Sequence, residues 1–116
     1  MPITGKWIFT AAMDVDPDKE ALFNEVYDTE HAPLIAKVPG VISVRRLKLD
    51  TLRMTMGGET KEMDPQGAPR YAAIFELESP DVLTSPAFAQ AVDQGRWTKE
   101  VRPYTRNRRH TLYKVL

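Results

Sequence analysis

Apolar positions along this chain keep two rhythms, alternating runs and runs spaced by three and four residues, and the switches between them outline its elements. Lys6 to Met13 is a short run rich in aromatic and β-favouring residues, closed by Asp14. Both of its faces are largely apolar, which predicts a central strand. Asp16-Pro17 then marks a helix start, with Asp16 as N-cap, proline at the first helical position, and Asp18 and Glu20 near the positive helix end. Leu22, Phe23, Val26 and Tyr27 form one buried face. Pro33 is expected to end the regular helix at or before Ala32, and a short turn over 34–37 leads into the turn Val38-Pro39-Gly40.

Val41 to Asp50 is β-like but carries Arg45, Arg46 and Lys48, a charge density that suits an edge strand. Residues 51–69 are polar, with Gly57-Gly58, Asp64-Pro65 and Gly67-Ala68-Pro69. Three forms stay open for this insertion: a lid, a short hairpin around Gly57-Gly58, or disorder. Arg70 to Glu78 returns to an apolar strand. Ser79-Pro80-Asp81 repeats the cap chemistry and Ser85-Pro86 restarts it; Val82, Leu83, Phe88, Ala91 and Val92 supply a buried stripe, and Gly95 stops the helix. After an irregular stretch holding Trp97, Val101, Pro103 and Tyr104, residues 107–115 alternate as a second charged strand.

The order is β-α-β-β-α-β within a single domain over residues 1–116, an α+β class chain with the ferredoxin-like arrangement. That arrangement has a four-stranded antiparallel sheet with two helices on one face. Its first and third strands are central and its second and fourth are edges, which matches the apolar and arginine-bearing runs respectively. The helices cover one sheet face. Whichever parity is chosen, the other face presents either Trp7, Phe9 and Phe75 or Ile8 and Ile74, so a second layer is needed. No further helical segment supplies it, and a second copy of the same sheet is the expected cover, giving a homodimeric barrel.

Composition narrows the partners. Sixteen basic and sixteen acidic residues cancel, so no global charge draws the chain to nucleic acid or an anionic membrane. No apolar run approaches the roughly 20 residues a bilayer span needs, and no basic-then-apolar leader opens the chain, so a cytoplasmic, soluble protein is expected. The absence of cysteine removes thiol nucleophiles, disulfides and thiolate metal sites.

Tyr27-Asp28-Thr29-Glu30-His31-Ala32-Pro33-Leu34-Ile35, followed by Val38-Pro39-Gly40-Val41, resembles the first-helix motif of EthD-like proteins, members of the dimeric α+β barrel superfamily. Phe75-Glu76-Leu77-Glu78-Ser79 with Ser85-Pro86 is similar to that group's third strand and second helix, and the matching pieces cover most of the chain. Residues 51–69 depart from the pattern in length. The resemblance implies two sheets packed face to face in a dimer, and a ligand cleft between sheet and helices or within the barrel. It implies no single reaction, since members isomerise, cyclise, decarboxylate, oxygenate or have no known activity.

His31 leads the candidate catalytic residues, because imidazole titrates near neutrality and serves as acid or base. It shares a helical stripe with Asn24 and Tyr27, and Asp28 is placed to orient the ring. The plainer reading is a helix-end histidine held by the dipole and local carbonyls. Glu76 interrupts an apolar strand and is the second catalytic candidate; alternatively it faces solvent or pairs with an edge-strand arginine. Glu30 reads as a solvated helix residue. Tyr27, Tyr71, Phe75, Trp97 and Tyr104 are candidate walls of an apolar pocket, set against a plain core role. Arg102, with Arg106, Arg108 and Arg109, could grip a ligand carboxylate or else guard an edge or an interface. His110 reads as structural. Only Asp28-x-x-His31 has even loose metal-ligand spacing, so no metal and no cofactor is expected.

Three functions stay open. One is an enzyme for proton transfer, of isomerase, cyclase or decarboxylase type, on a small apolar or aromatic metabolite. The second is a non-catalytic ligand-binding or accessory protein using the same pocket, and the third is a module whose dimer is the whole purpose.

Overall fold

Alternation and capping build the elements of the computed structural model, which describes residues 3–116. In chain order they are β1 (Trp7–Val15), α1 (Glu20–Val26), α2 (Ala32–Ala36), β2 (Val41–Lys48), β3 (Leu52–Met56), β4 (Glu59–Met63), β5 (Tyr71–Leu77), α3 (Pro86–Asp93) and β6 (Thr105–Lys114). Four of the strands form an antiparallel sheet in the order β2-β5-β1-β6, so the apolar runs are central and the arginine-bearing runs are edges. Residues 52–63 are a separate two-stranded hairpin turning at Gly57-Gly58.

Register settles which face meets the helices. Phe9 pairs with Phe75 and Ala11 with Ala73, and the buried positions of β1 and β5 alternate with half-buried ones. Met13, Tyr71, Phe75 and Leu77 therefore sit in the core with Phe23, Val26, Ile35 and Val101, while Ile8, Ala12, Ala72 and Ile74 occupy the outer face.

The first helical region runs past Pro33, contrary to the expectation of an end at Ala32. Between α1 and α2 the chain makes one wide π-helical turn over Tyr27–His31, closed by the Ala32 N–H on the Tyr27 carbonyl. Pro33, which has no N–H to offer, then falls in the first turn of α2, where none is required. The wide turn also keeps Phe23, Tyr27, His31 and Ile35 in line, at 0%, 3%, 6% and 2% exposure. In a regular α-helix that four-residue repeat would drift by about 40° at each step.

Ser85 caps α3 by accepting from the Phe88 N–H at 3.2 Å, and Ser79 likewise accepts from Asp81 before a short 3₁₀ turn. Gly95 follows α3 at φ 74°, a conformation that favours glycine. Asp16 does not cap by its side chain: it accepts from the Arg106 guanidinium, and a 3₁₀ turn over Pro17–Lys19 intervenes before α1.

Candidate functional site

A cavity of about 180 Å³ opens between the helix-facing side of the sheet and the helices. β1 contributes Phe9 and Ala11, β5 contributes Phe75, and β6 contributes Arg108 and His110. The first helical region adds Tyr27, His31 and Ile35, α3 adds Phe88 and Val92, and the segment after Gly95 adds Trp97 and Arg102.

Two π-helical turns meet here, Tyr27–His31 and Trp97–Val101, and such turns are frequent at functional sites. They bring the His31 and Trp97 rings into a stack, with centroids 4.1 Å apart and planes 15° from parallel. Tyr27 stands edge-on to both, at 5.0 Å from His31 and 5.1 Å from Trp97. Glu30 holds the two segments together. Its carboxylate accepts from the Arg96 backbone N–H at 2.9 Å and from Arg96 Nε at 2.6 Å. The backbone donor first, then the guanidinium, keep that carboxyl below the usual carboxylate range. Glu30 is thus a clamp beside the stack rather than a solvated helix residue.

His31 is buried, and its Nδ1 has no hydrogen-bond partner among the described residues. Burial first, then the nearby Arg102 charge, lowers its pKa to about 4, so the ring is neutral at pH 7. Asp28 does not orient it, because that carboxylate pairs with Arg46 at 2.9 Å. Arg46 is more than an edge guard: its guanidinium lies 4.6 Å from the Tyr27 ring centroid and also bonds Asn24 at 2.9 Å. Burial pushes the Tyr27 phenol up to about 12, which leaves it protonated.

Of the residues singled out from the sequence, His31, Tyr27, Phe75, Trp97 and Arg102 line the cavity, and Glu76, Tyr71 and Tyr104 do not. The Glu76 carboxylate accepts from the Gly5 and Thr4 N–H groups and the Ser43 hydroxyl, all at 2.8 Å. Gly5 first, then Ser43 and Thr4, hold it below the usual range; it ties the N-terminal arm to β2 through Ser43, not through an arginine. Tyr71 is buried on the far side of Phe23, with its hydroxyl donating to Glu20. Tyr104 is 38% exposed beneath the Lys19 ammonium.

Cross-strand register singles out Arg108 from the basic group of β6 and adds His110, which the sequence alone reads as structural; both line the cavity. His110 pairs with Ala11 and stacks on Phe9 at 5.9 Å. Burial first, then Arg108 and Arg102, lowers its pKa. Between Ala12 and Asp14 the β1–β6 register shifts by one residue, at Asn107 with φ 52°. The bulge sets Arg106 opposite Asp14 on the outer face, whereas unbroken alternation would have put it on the inner face with Arg108 and His110.

No protein-family model matches the sequence, and no curated protein matches it significantly. Solved structures do. An ethyl tert-butyl ether D (EthD) family protein from Bacillus halodurans C-125 aligns at TM-score 0.61 and 14% identity, over 95% of this chain and 99% of that one. This chain shares its fold, and a protein of unknown function and ferredoxin-like fold from Bacteroides fragilis NCTC 9343 aligns at TM-score 0.56 and 16% identity over 98% and 100% of the two chains. A point mutant of SnoaB from Streptomyces nogalater, a cofactor-independent oxygenase, aligns at TM-score 0.56 and 18% identity over 97% and 94% of the two chains. The heme-degrader MhuD from Mycobacterium tuberculosis, with two hemes bound in its active site, aligns at 0.57 and 15% over 95% of each. At these identities the likeness is one of fold.

Proposed function

We propose that this chain is an EthD-like homodimer whose cavity binds a small apolar or aromatic metabolite and transfers a proton on it, with His31 as the acceptor. The observation that carries the reading is the unpartnered Nδ1 of a histidine only 6% exposed, inside a cavity walled by aromatic rings. An unmade hydrogen bond on a buried polar atom costs about 1–3 kcal/mol, which a ligand in the cavity would recover. A neutral imidazole has room for the proton. When a C–H next to a carbonyl is broken, the electron pair delocalises to the carbonyl oxygen. The proton rests on His31 and returns to the same or another carbon, with Arg102 near the developing negative charge.

Size favours a one-ring ligand, because an engineered cavity of about 150 Å³ holds benzene, and this one measures about 180 Å³. A porphyrin exceeds that space, and the reading uses no haem. Dimerisation is supported by the outer sheet face, where half-buried Ile8, Ala12, Ala72 and Ile74 lie beside exposed Leu47 and Tyr113.

The test is exchange in deuterium oxide. One-ring ketones and phenols that bind by ligand-observed NMR are incubated with the protein and followed for loss of the acidic C–H signal. Exchange should occur with the native chain and stop in His31→Ala. Tight binding without exchange would instead favour the non-catalytic binding protein.

A further inference from the structure

Resting on the binding reading above, we propose that the ligand is an aromatic carboxylate, its ring lying inside the cavity and its carboxylate gripped by Arg102 and Arg108 at the rim. The cavity lining holds two arginines and two histidines and no Asp or Glu. Elsewhere Arg46 pairs with Asp28, Arg96 with Glu25 and Glu30, and Arg106 with Asp16, while Arg45, Arg53, Arg70 and Arg109 lie outside the cavity and pair with no acid among the described residues. Arg102 and Arg108 pair with no carboxylate among the described residues. A chain with as many acids as bases has therefore left an uncompensated positive cluster at the cavity that also contains a buried unsatisfied imidazole.

The arrangement separates by polarity as such a ligand does. Phe9, Phe75 and Trp97 make the apolar wall, and burial there suits a flat ring. Arg102 and Arg108 are exposed, so they keep their hydration until a ligand arrives. Guanidinium groups bind carboxylates through paired N–H donors, a geometry that neither a neutral amide nor an alcohol completes. Arg102, Arg108, His31 and His110 all line this one cavity, so a single bound anion would meet all four.

Benzoate and its neutral near-isostere benzamide decide the matter by calorimetric or NMR titration of the full chain. Benzoate should bind at least about tenfold more tightly, the ratio expected when charge-assisted hydrogen bonds replace neutral ones. That preference should shrink with added salt and vanish in Arg102→Gln/Arg108→Gln. Both side chains are exposed, so the double variant is expected to stay folded, as far-ultraviolet circular dichroism would verify. Equal binding of benzoate and benzamide would overturn the carboxylate assignment while leaving the apolar cavity standing. A benzoate preference that survives in the double variant would overturn the role of the arginines. Failure of both compounds to bind would remove the pocket reading and this one with it.

Discussion

At the residue scale the decisive side chain is His31, whose burial makes a claim about pH. Its pKa falls from the ordinary 6.5 to about 4 in the folded chain, so between those values the unfolded chain binds the extra proton. Stability contributed by keeping this ring neutral is complete above pH 6.5 and is lost as pH falls toward 4. At about 1.4 kcal/mol per unit, the loss is of order 3 kcal/mol. Urea denaturation of the native chain should therefore weaken more steeply over that window than that of His31→Phe, which has no proton to take up. His110 and the carboxylates contribute equally to both curves, so parallel curves would mean that His31 is not buried in its neutral form. His31 was legible from its chemistry together with the motif around it, whereas His110, the same residue type in an arginine-rich strand, read as structural and lines the same cavity. Glu76 was harder to place. A carboxylate in an apolar run looks the same whether it serves a site or fixes the backbone of Thr4 and Gly5, and only the position of the N-terminal arm distinguishes the two.

Among the elements, the serine caps and strand order were legible, and the Asp16 cap and the π-helical turns were not. Serine before proline has one strong local use, and Ser79 and Ser85 both meet it. Pro33 pointed to a helix end by the same local logic, yet packing overrode it, since a wide turn lets Phe23, Tyr27, His31 and Ile35 share one face. The second wide turn depends on Gly95. A Cβ there would fall on Glu30 Oε1, the acceptor for the Arg96 N–H, at a φ of 74° that already favours glycine. Gly95→Ala should accordingly destabilise the chain by about 1 kcal/mol or more and loosen the stack, raising acrylamide quenching of Trp97 in a Trp7→Phe background. Ser85→Ala should cost a similar amount, about 1 kcal/mol, without changing the quenching. Equal quenching in the two variants would show that the Glu30 clamp does not position Trp97.

For the whole molecule, alternation could not say which sheet face meets the helices, because the central strands are apolar on both. The pairing of Phe9 with Phe75 on the inner side leaves Ile8 and Ile74 outside, flanked by Leu47 at 48% and Tyr113 at 60% exposure. The hairpin adds to the uncovered surface. Every residue of β3 and β4 is exposed, and Leu52, Met54, Met56 and Met63 lie along one of its faces. A two-stranded hairpin is marginal alone in water, and its projection fits a radius of gyration of 15.8 Å, against about 13 Å for a compact chain of this length. A second copy across the outer sheet face would cover Ile8 and Ile74, since an isologous contact buries the same apolar positions twice. Light scattering should then return about twice the 13.2 kDa chain mass, stable to micromolar dilution. Ile74→Lys would place a charge in that apolar contact and should halve the mass while the circular dichroism of the sheet persists. A native chain that scatters as a monomer at high micromolar concentration would mean that the outer face tolerates water, and the barrel would have to be abandoned. The cavity, built by one copy from its own helices and sheet, would survive that result.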